Sequence, residues 1–327
     1  MINEQTTKPK LEIITASEIE PKEVQWLWYP YFPLGKVSIV QGDPGDGKST
    51  FLLTIAAMLT NGEILPFSEP ETPLEPMKVI YQTTEDDADD TVVPRFMKAG
   101  GNRDRLIFIK EDKPLTFADE RIGEAIKETG AKLLILDPLS SYIGDCSLNA
   151  ANEVRPEFNH LIRAAKENGC TIIVVDHMNK GEAQKALYRT PGSIDVVGAV
   201  RSVNTIVCDP DDRDKRYFVQ TKSNLAPMGN AISFSVGENG IEFIEELDAT
   251  PDELMNRFSA VIGRPDDKTQ EAMTFISEML AEGPLSSKEC EARLREAGIK
   301  ASTAKKAKKM LGVVSSKPAL TWTWSLP

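Results

Sequence analysis

Histidine is scarce in this chain of 327 residues: only His160 and His177 occur. The four cysteines, Cys146, Cys170, Cys208 and Cys290, form no Cys-x-x-Cys pair and stand beside no histidine cluster. That spacing excludes a zinc ribbon and a disulfide-stapled secreted scaffold, and the thiols read as free ones of a reducing compartment. No apolar run is long enough to cross a bilayer. The opening Met1-Ile2-Asn3-Glu4-Gln5 lacks the apolar centre of a signal peptide. The expectation is a soluble, cytoplasmic protein with no membrane partner. Basic residues are outnumbered, 38 Lys and Arg against 50 Asp and Glu, which gives a net charge of −12. Such a chain is not a general nucleic-acid coat, although a local basic loop can outweigh the mean field. Low-complexity segments and internal repeats are also absent. Aromatics make up only 7% of the chain, yet Trp26, Trp28, Tyr29, Tyr31 and Phe32 crowd into one stretch. That stretch reads as a hydrophobic brace beneath a sheet, with a nucleotide-base pocket as the competing role.

Hydrophobic residues, at 41%, suffice for a large core. The clearest signal is Gly42-Asp43-Pro44-Gly45-Asp46-Gly47-Lys48-Ser49, followed by Thr50. This is the phosphate-binding P-loop pattern, and it lies between an apolar run at 37–41 and a helix-like stretch at 50–59. The glycines let the backbone turn its N–H groups inward, where they and the helix N-terminus can hold phosphate oxygens. Lys48 can reach the terminal phosphates, and Ser49 can place a hydroxyl on Mg²⁺, a cation that prefers oxygen.

Strand-like runs recur at 77–82, 105–109, 132–136 and 171–175, separated by helical periods at 89–99, 122–129 and 152–168. Several runs are continuously aliphatic, as strands of a parallel sheet are when both faces are buried. Four further strands, at 204–208, 216–221, 231–236 and 241–246, are joined by short turns. They predict an antiparallel extension of the sheet. The fold class is therefore α/β.

The expected domains are an N-terminal extension (1–24), an ATPase domain (25–248), a linker rich in Asp, Pro and Gly (249–266) and a small terminal unit (267–327). Ser17-Glu18-Ile19-Glu20 is expected to cap a short turn of helix. In the terminal unit, Ser286 is expected to open a second helix with Glu289 in a capping box, and Ser302 to cap a third. Two short strands then complete a winged-helix outline.

Three strand ends carry further chemistry. Leu133-Leu134-Ile135-Leu136-Asp137 is a buried strand ending in an acid, which puts Asp137 at the mouth of the phosphate site as a Mg²⁺ anchor; alternatively it is a turn-forming Asp before Pro138. Glu85, after the strand at 77–82, can polarise an attacking water; alternatively it belongs to an acidic helix start favoured by the macrodipole. His177 ends the strand at 171–175 and can sense the γ-phosphate, or it is simply structural. The polar segment beyond it carries Lys180, Lys185 and Arg189, either contacts for a phosphate backbone or parts of an ordinary loop.

The P-loop, Glu85-Asp86, Asp137, Asp176-His177-Met178-Asn179-Lys180, Gly192-Ser193-Ile194-Asp195 with Arg201-Ser202, and Lys222-Ser223-Asn224 follow one another in an order that resembles the RepA-like branch of RecA-fold ATPases. That group is found on plasmids and phage-related elements, and its best-known member is a hexameric replicative helicase. The resemblance runs from about Trp26 to Phe243. It implies a RecA-like core that assembles as a ring with ATP between subunits and works on single-stranded DNA. It also implies that Glu85 is the catalytic glutamate, His177 the sensor, Arg201 an arginine finger acting in trans, and Lys222 another trans contact. A single acid followed by Pro138 departs from relatives that carry two. Competing functions are an ATP-switched DNA-binding regulator or loader and a recombinase-like filament.

Overall fold

The computed structural model describes residues 13–68, 74–110, 113–144, 146, 151–177, 194–209, 211–237, 240–249, 253–254, 267–281, 283–317 and 322–326. The chain divides into two compact units, 1–252 and 253–327. In the first, the described elements are β1 (Trp26–Trp28), β2 (Phe32–Pro33), β3 (Val37–Gly42), α1 (Lys48–Asn61), β4 (Val79–Thr83), α2 (Val93–Lys98), β5 (Leu106–Ile107), α3 (Glu120–Thr129), β6 (Leu133–Asp137), α4 (Ala151–Asn168), β7 (Thr171–His177), α5 (Ile194–Ala199), β8 (Ser202–Cys208), β9 (Lys215–Ser223), β10 (Ala231–Gly237) and β11 (Gly240–Leu247).

A nine-stranded sheet runs in the order β11-β10-β9-β8-β3-β7-β6-β4-β5. The six strands from β8 to β5 are parallel; β9, β10 and β11 extend the sheet in antiparallel fashion. This is the mixed, mainly parallel α/β fold expected from the aliphatic runs. Alternation along each central strand explains why those runs are continuous. Leu133, Ile135, Ile173 and Val175 join α1 and the aromatic stretch on one face, while Leu134, Leu136, Ile172 and Val174 pack with α3, α4 and α5 on the other. Both faces are buried, so neither residue of the repeat can be polar.

The aromatic stretch braces the sheet. Trp28 lies parallel to Phe218 at 5.5 Å between centroids, and Phe51 of α1 stacks on Phe218 at 4.7 Å. The Trp28 Nε1–H donates to the Pro66 carbonyl at 3.2 Å, which satisfies the one polar atom buried with the ring.

Boundaries move where side chains intervene. The strand expected at 105–109 pairs only over Leu106–Ile107. Beyond it the Gln82 amide takes over the ladder, accepting from the Ile109 N–H at 3.0 Å and donating to its carbonyl at 3.1 Å. The helix expected at 89–99 opens as a π-helical turn, Ala88–Val92, before α2. Near the N-terminus, the short turn is Ala16–Glu18 and its cap is Thr15, not Ser17. Glu18 is three residues beyond Thr15 and reaches back to its N–H at 2.9 Å and its hydroxyl at 2.6 Å.

The second unit comprises α6 (Asp267–Leu280), β12 (Leu285–Ser286), α7 (Ser287–Glu296), α8 (Ala301–Met310), β13 (Val314–Ser316) and β14 (Thr323–Ser325). Ala272, Ile276, Leu280, Cys290, Leu294, Ala304, Ala307 and Trp324 form its own core. β14 is the centre of a three-stranded ribbon, β12-β14-β13, one strand more than expected. Ser286 caps α7 by accepting from the Glu289 N–H at 3.2 Å, while the Glu289 carboxylate turns to Arg293. Ser302 does not cap α8. Gly298, with φ of 74°, ends α7; the Ile299 N–H then returns to Leu294 O at 2.9 Å, and extended Lys300 becomes the N-cap.

Candidate functional site

β3 lies at the centre of the sheet, and its carboxyl end leads into the P-loop. Gly42 is level with His177 across the β3–β7 pair, and Thr83 is level with Asp137 across β4–β6. The strand ends that carry the P-loop, His177, Asp137 and Glu85 therefore open on one edge, where ligands of open α/β sheets bind. Within the loop, Gly45 and Gly47 have φ of 88° and 87°, in the left-handed region that favours glycine. A Cβ on Gly45 would meet nothing within 4 Å, whereas one on Gly42 would lie 2.5 Å from the Ile206 carbonyl oxygen of β8. The loop is thus open on its outer side and wedged against the sheet at its root.

Lys48 opens α1 and is buried. Its ammonium donates to the carbonyls of Gly42 at 2.9 Å and Asp43 at 3.0 Å and lies 3.2 Å from His177 Nδ1. Burial lowers its pKa, and the carboxylates of Asp46, Asp137, Asp43 and Asp176 counter that shift. The Ser49 hydroxyl donates to Asp137 Oδ2 at 2.7 Å. A hydroxyl and a carboxylate in contact form part of a hard-oxygen donor set. Among the described residues no cluster of three His, Cys, Asp or Glu side chains could hold a metal. A cation here would draw its remaining oxygens from phosphate and water, as Mg²⁺ does. The residues present fit a Mg²⁺–nucleotide in that sense.

Glu85 is exposed two residues beyond the end of β4, and its N–H donates to Thr83 Oγ1 at 3.2 Å. Beside it the Thr84 N–H donates to the Asp137 carbonyl at 3.3 Å, which ties this turn to the end of β6. Asp43, Pro44 and Gly45 are exposed on the loop's outer side, and Thr50 follows in the first turn of α1.

Arg201 and Lys222 stand elsewhere. The Arg201 N–H donates to Val37 O, at the start of β3. The P-loop is five residues further along that strand, roughly 16 Å away at ~3.3 Å per residue. Arg201 is exposed there. Lys222 is half-buried, and its ammonium donates to the carbonyls of Val197 at 2.5 Å and Val200 at 2.8 Å, at the end of α5. Burial lowers its pKa, helped by the charges of Arg201 and Arg155. Lys180, Lys185 and Arg189 lie outside the described residues.

Tyr81 and Asp176 were given no role from sequence, and Asp46 was expected only as one of the nucleotide-binding residues of the loop. The Tyr81 hydroxyl donates to Asp137 Oδ2 at 2.8 Å, so one carboxylate oxygen serves both Tyr81 and Ser49. A tyrosine within an aliphatic strand needs a buried partner, and that was the available signal. Asp176, 4% exposed, accepts from the His177 N–H at 2.9 Å through Oδ1. Its Oδ2 is buried with no partner among the described residues. Burial pushes its pKa up to about 7 against the pull of that N–H and of Lys48. Asp46 faces back into the protein, accepting from the Asp43 N–H at 2.8 Å and from the Cys208 thiol at 3.2 Å.

A family profile described as AAA domain matches residues 4–183, more than half of the chain. Among curated proteins, DNA repair protein RadA of Halalkalibacterium halodurans is 29% identical over 236 residues, 70% of this chain and 45% of that protein. The protein of the same name from Bacillus subtilis is 27% identical over 149 residues, 45% of this chain and 28% of its own length. That of Aquifex aeolicus is 22% identical over 220 residues, 66% and 43% respectively. The chain spans less than half the length of these relatives. Among solved structures, the crystal structure of a KaiC-like protein from Pyrococcus horikoshii aligns with a TM-score of 0.49 at 16% identity, covering 68% of this chain and 100% of that one.

Proposed function

The chain belongs to the AAA domain family, and from that premise we propose that it is an ATP-hydrolysing motor that assembles as a homo-oligomeric, six-membered ring on single-stranded DNA. The observation that carries the nucleotide half of this reading is the pair of contacts at the P-loop: Ser49 on Asp137 at 2.7 Å, and Lys48 beside His177 at 3.2 Å. The DNA half draws support from the resemblance to replicative helicases of plasmids and prophages and from relatives named for DNA repair.

In this reading the P-loop amides and Lys48 hold the β- and γ-phosphates. Ser49 and Asp137 would hold a Mg²⁺, which when bound would offset charge on the phosphate oxygens. Lys48 exchanges its two carbonyls for phosphate, and its neighbour His177 registers the change. Glu85 orients the attacking water. An arginine reaching the γ-phosphate from a neighbouring subunit is worth ~10³–10⁵ in rate in comparable enzymes. Arg201 is the candidate for that role and Lys222 for a second trans contact. The test is the ATPase rate with and without single-stranded DNA, run alongside the mass of the assembly in Mg²⁺–ATP. Stimulation by DNA together with a closed oligomer supports the motor. A monomer whose turnover ignores DNA refutes it.

One observation favours a second reading, an ATP-switched DNA-binding regulator or loader. Residues 285–327 hold nine Lys and Arg against three Asp and Glu, in a chain whose net charge is −12. Lys305 and Lys309 are exposed on α8. Unwinding in a strand-displacement assay separates the motor from the switch, and open polymers under the electron microscope would indicate a recombinase-like filament.

A further inference from the structure

Arg216 stands at the amino end of β9, level with Cys208 on β8 and Phe234 on β10. Its side chain lies along the P-loop. A Cβ on Gly47, the residue that precedes α1, would meet Arg216 Nε at 3.5 Å and Cδ at 3.6 Å. The guanidinium is only partly used: Nη1 donates to the Asp214 carbonyl at 3.0 Å, while Nε–H is buried with no acceptor among the described residues.

This is an unfavourable arrangement for a protein to keep without a ligand. A guanidinium is always charged and presents five donors. Burying one of them unpaired costs free energy. It also faces the N-terminus of α1, where the peptide dipoles already concentrate positive charge. The nearby side chains do not relieve it. The Asp46 carboxyl is engaged by the Asp43 N–H and the Cys208 thiol. The Cys208 sulfur lies close enough to feel the Arg216 charge and a weak side-chain contact that falls short of a full hydrogen bond. It stays a neutral, poorly accepting thiol, because burial and Asp46 push its pKa up to about 11. A ligand anion on the P-loop relieves both penalties, since it offers the acceptor that Nε–H lacks and the negative charge that the helix end attracts.

We infer that Arg216 binds the phosphate chain of the nucleotide held by the P-loop of its own subunit. The inference rests on the nucleotide reading above and adds to it a cation supplied in cis by the antiparallel extension. Arg216 is distinct from Arg201 and Lys222, which lie toward the opposite end of the sheet.

The test is calorimetric titration of the full chain with Mg²⁺–ADP. Absence of binding by the wild-type protein refutes the nucleotide reading itself. With binding established, Arg216→Ala is expected to weaken affinity about ten- to a hundredfold, the value of one charge-assisted contact. Arg216→Lys should fall between the two, and guanidinium ion at tens of millimolar should restore part of the loss in Arg216→Ala. Equal sodium chloride should not. Because the contact is in cis, the loss should not depend on protein concentration. An Arg216→Ala protein that binds within twofold of wild type overturns the inference. So does a loss that neither lysine nor guanidinium repairs, because Arg216 would then be a structural prop. If the alanine variant does not fold, Arg216→Gln, which keeps the stem and an N–H but no charge, is read by the same criteria.

Discussion

Replacing Trp28 by alanine tests what the aromatic stretch is for. The ring is 1% exposed and has Tyr31 at 4.7 Å, Phe218 at 5.5 Å, Phe32 at 5.9 Å and Phe51 at 6.3 Å. Removing a buried aromatic and leaving its cavity costs about 3–5 kcal/mol. The Pro66 carbonyl also loses its donor, which adds about 1 kcal/mol. The sum rivals the whole stability of a typical domain, about 5–15 kcal/mol. Trp28→Phe keeps most of the packing and loses the N–H, so about 1–2 kcal/mol is expected. Urea unfolding followed by circular dichroism gives both values, and ADP titration of the phenylalanine variant gives the affinity. Phe51 carries the contact from this cluster into α1, but none of the P-loop's own contacts involves Trp28. Nucleotide affinity in Trp28→Phe should therefore stay within about twofold of wild type. A loss below about 1 kcal/mol in Trp28→Ala would refute the brace. An unaltered stability with a tenfold weaker ADP complex in Trp28→Phe would make the stretch a base pocket instead.

Gly42→Ala forces a methyl against a backbone carbonyl at 2.5 Å, so it should destabilise by about 1–3 kcal/mol and abolish nucleotide binding. Gly45→Ala meets open space and should lose only about 1–2 kcal/mol to its left-handed backbone; thermal melts of the pair check the order. The folded-state pKa of Asp176 is raised to about 7, so its contribution to stability is full below the unfolded value near 4 and is lost as pH rises through 7. Asp176→Asn should therefore gain melting temperature relative to wild type between pH 5.5 and 8, and parallel curves would refute the shift. Lys222→Ala strands the carbonyls of Val197 and Val200 and should cost about 1–3 kcal/mol in urea unfolding, whatever its role between subunits. Glu85→Gln should bind ATP and hydrolyse it slowly; normal turnover in that variant would remove Glu85 from the mechanism.

The parts legible in sequence are those where one residue type has one physical use. Gly45 and Gly47 announce a left-handed loop, and Leu133-Leu134-Ile135-Leu136 announces a strand covered on both faces. His177 was legible as a strand-end residue, but its contact with Lys48 was not, because strand order decides which ends are neighbours. The same holds for Arg216. Its place beside Gly47 depends on the antiparallel strands folding back past the end of β3, and nothing in the local pattern at 211–216 encodes that. The displaced caps at Thr15 and Lys300 were set by what precedes them: at Thr15 by the three-residue reach of Glu18, and at Lys300 by a glycine that ends one helix early enough to start the next.

The two ends of β3 have a geometric consequence for self-association. The P-loop is at one pole of the sheet, and Arg201 with Lys222 is at the other, about five residues of strand away. A twofold pair can join unlike poles only reciprocally, which requires both poles to lie within the one shared patch. Copies that join one pole to the other without that reciprocity repeat one and the same rotation from each subunit to the next. Whether that repeat closes on itself or winds on as a screw is then set by the angle of a single contact.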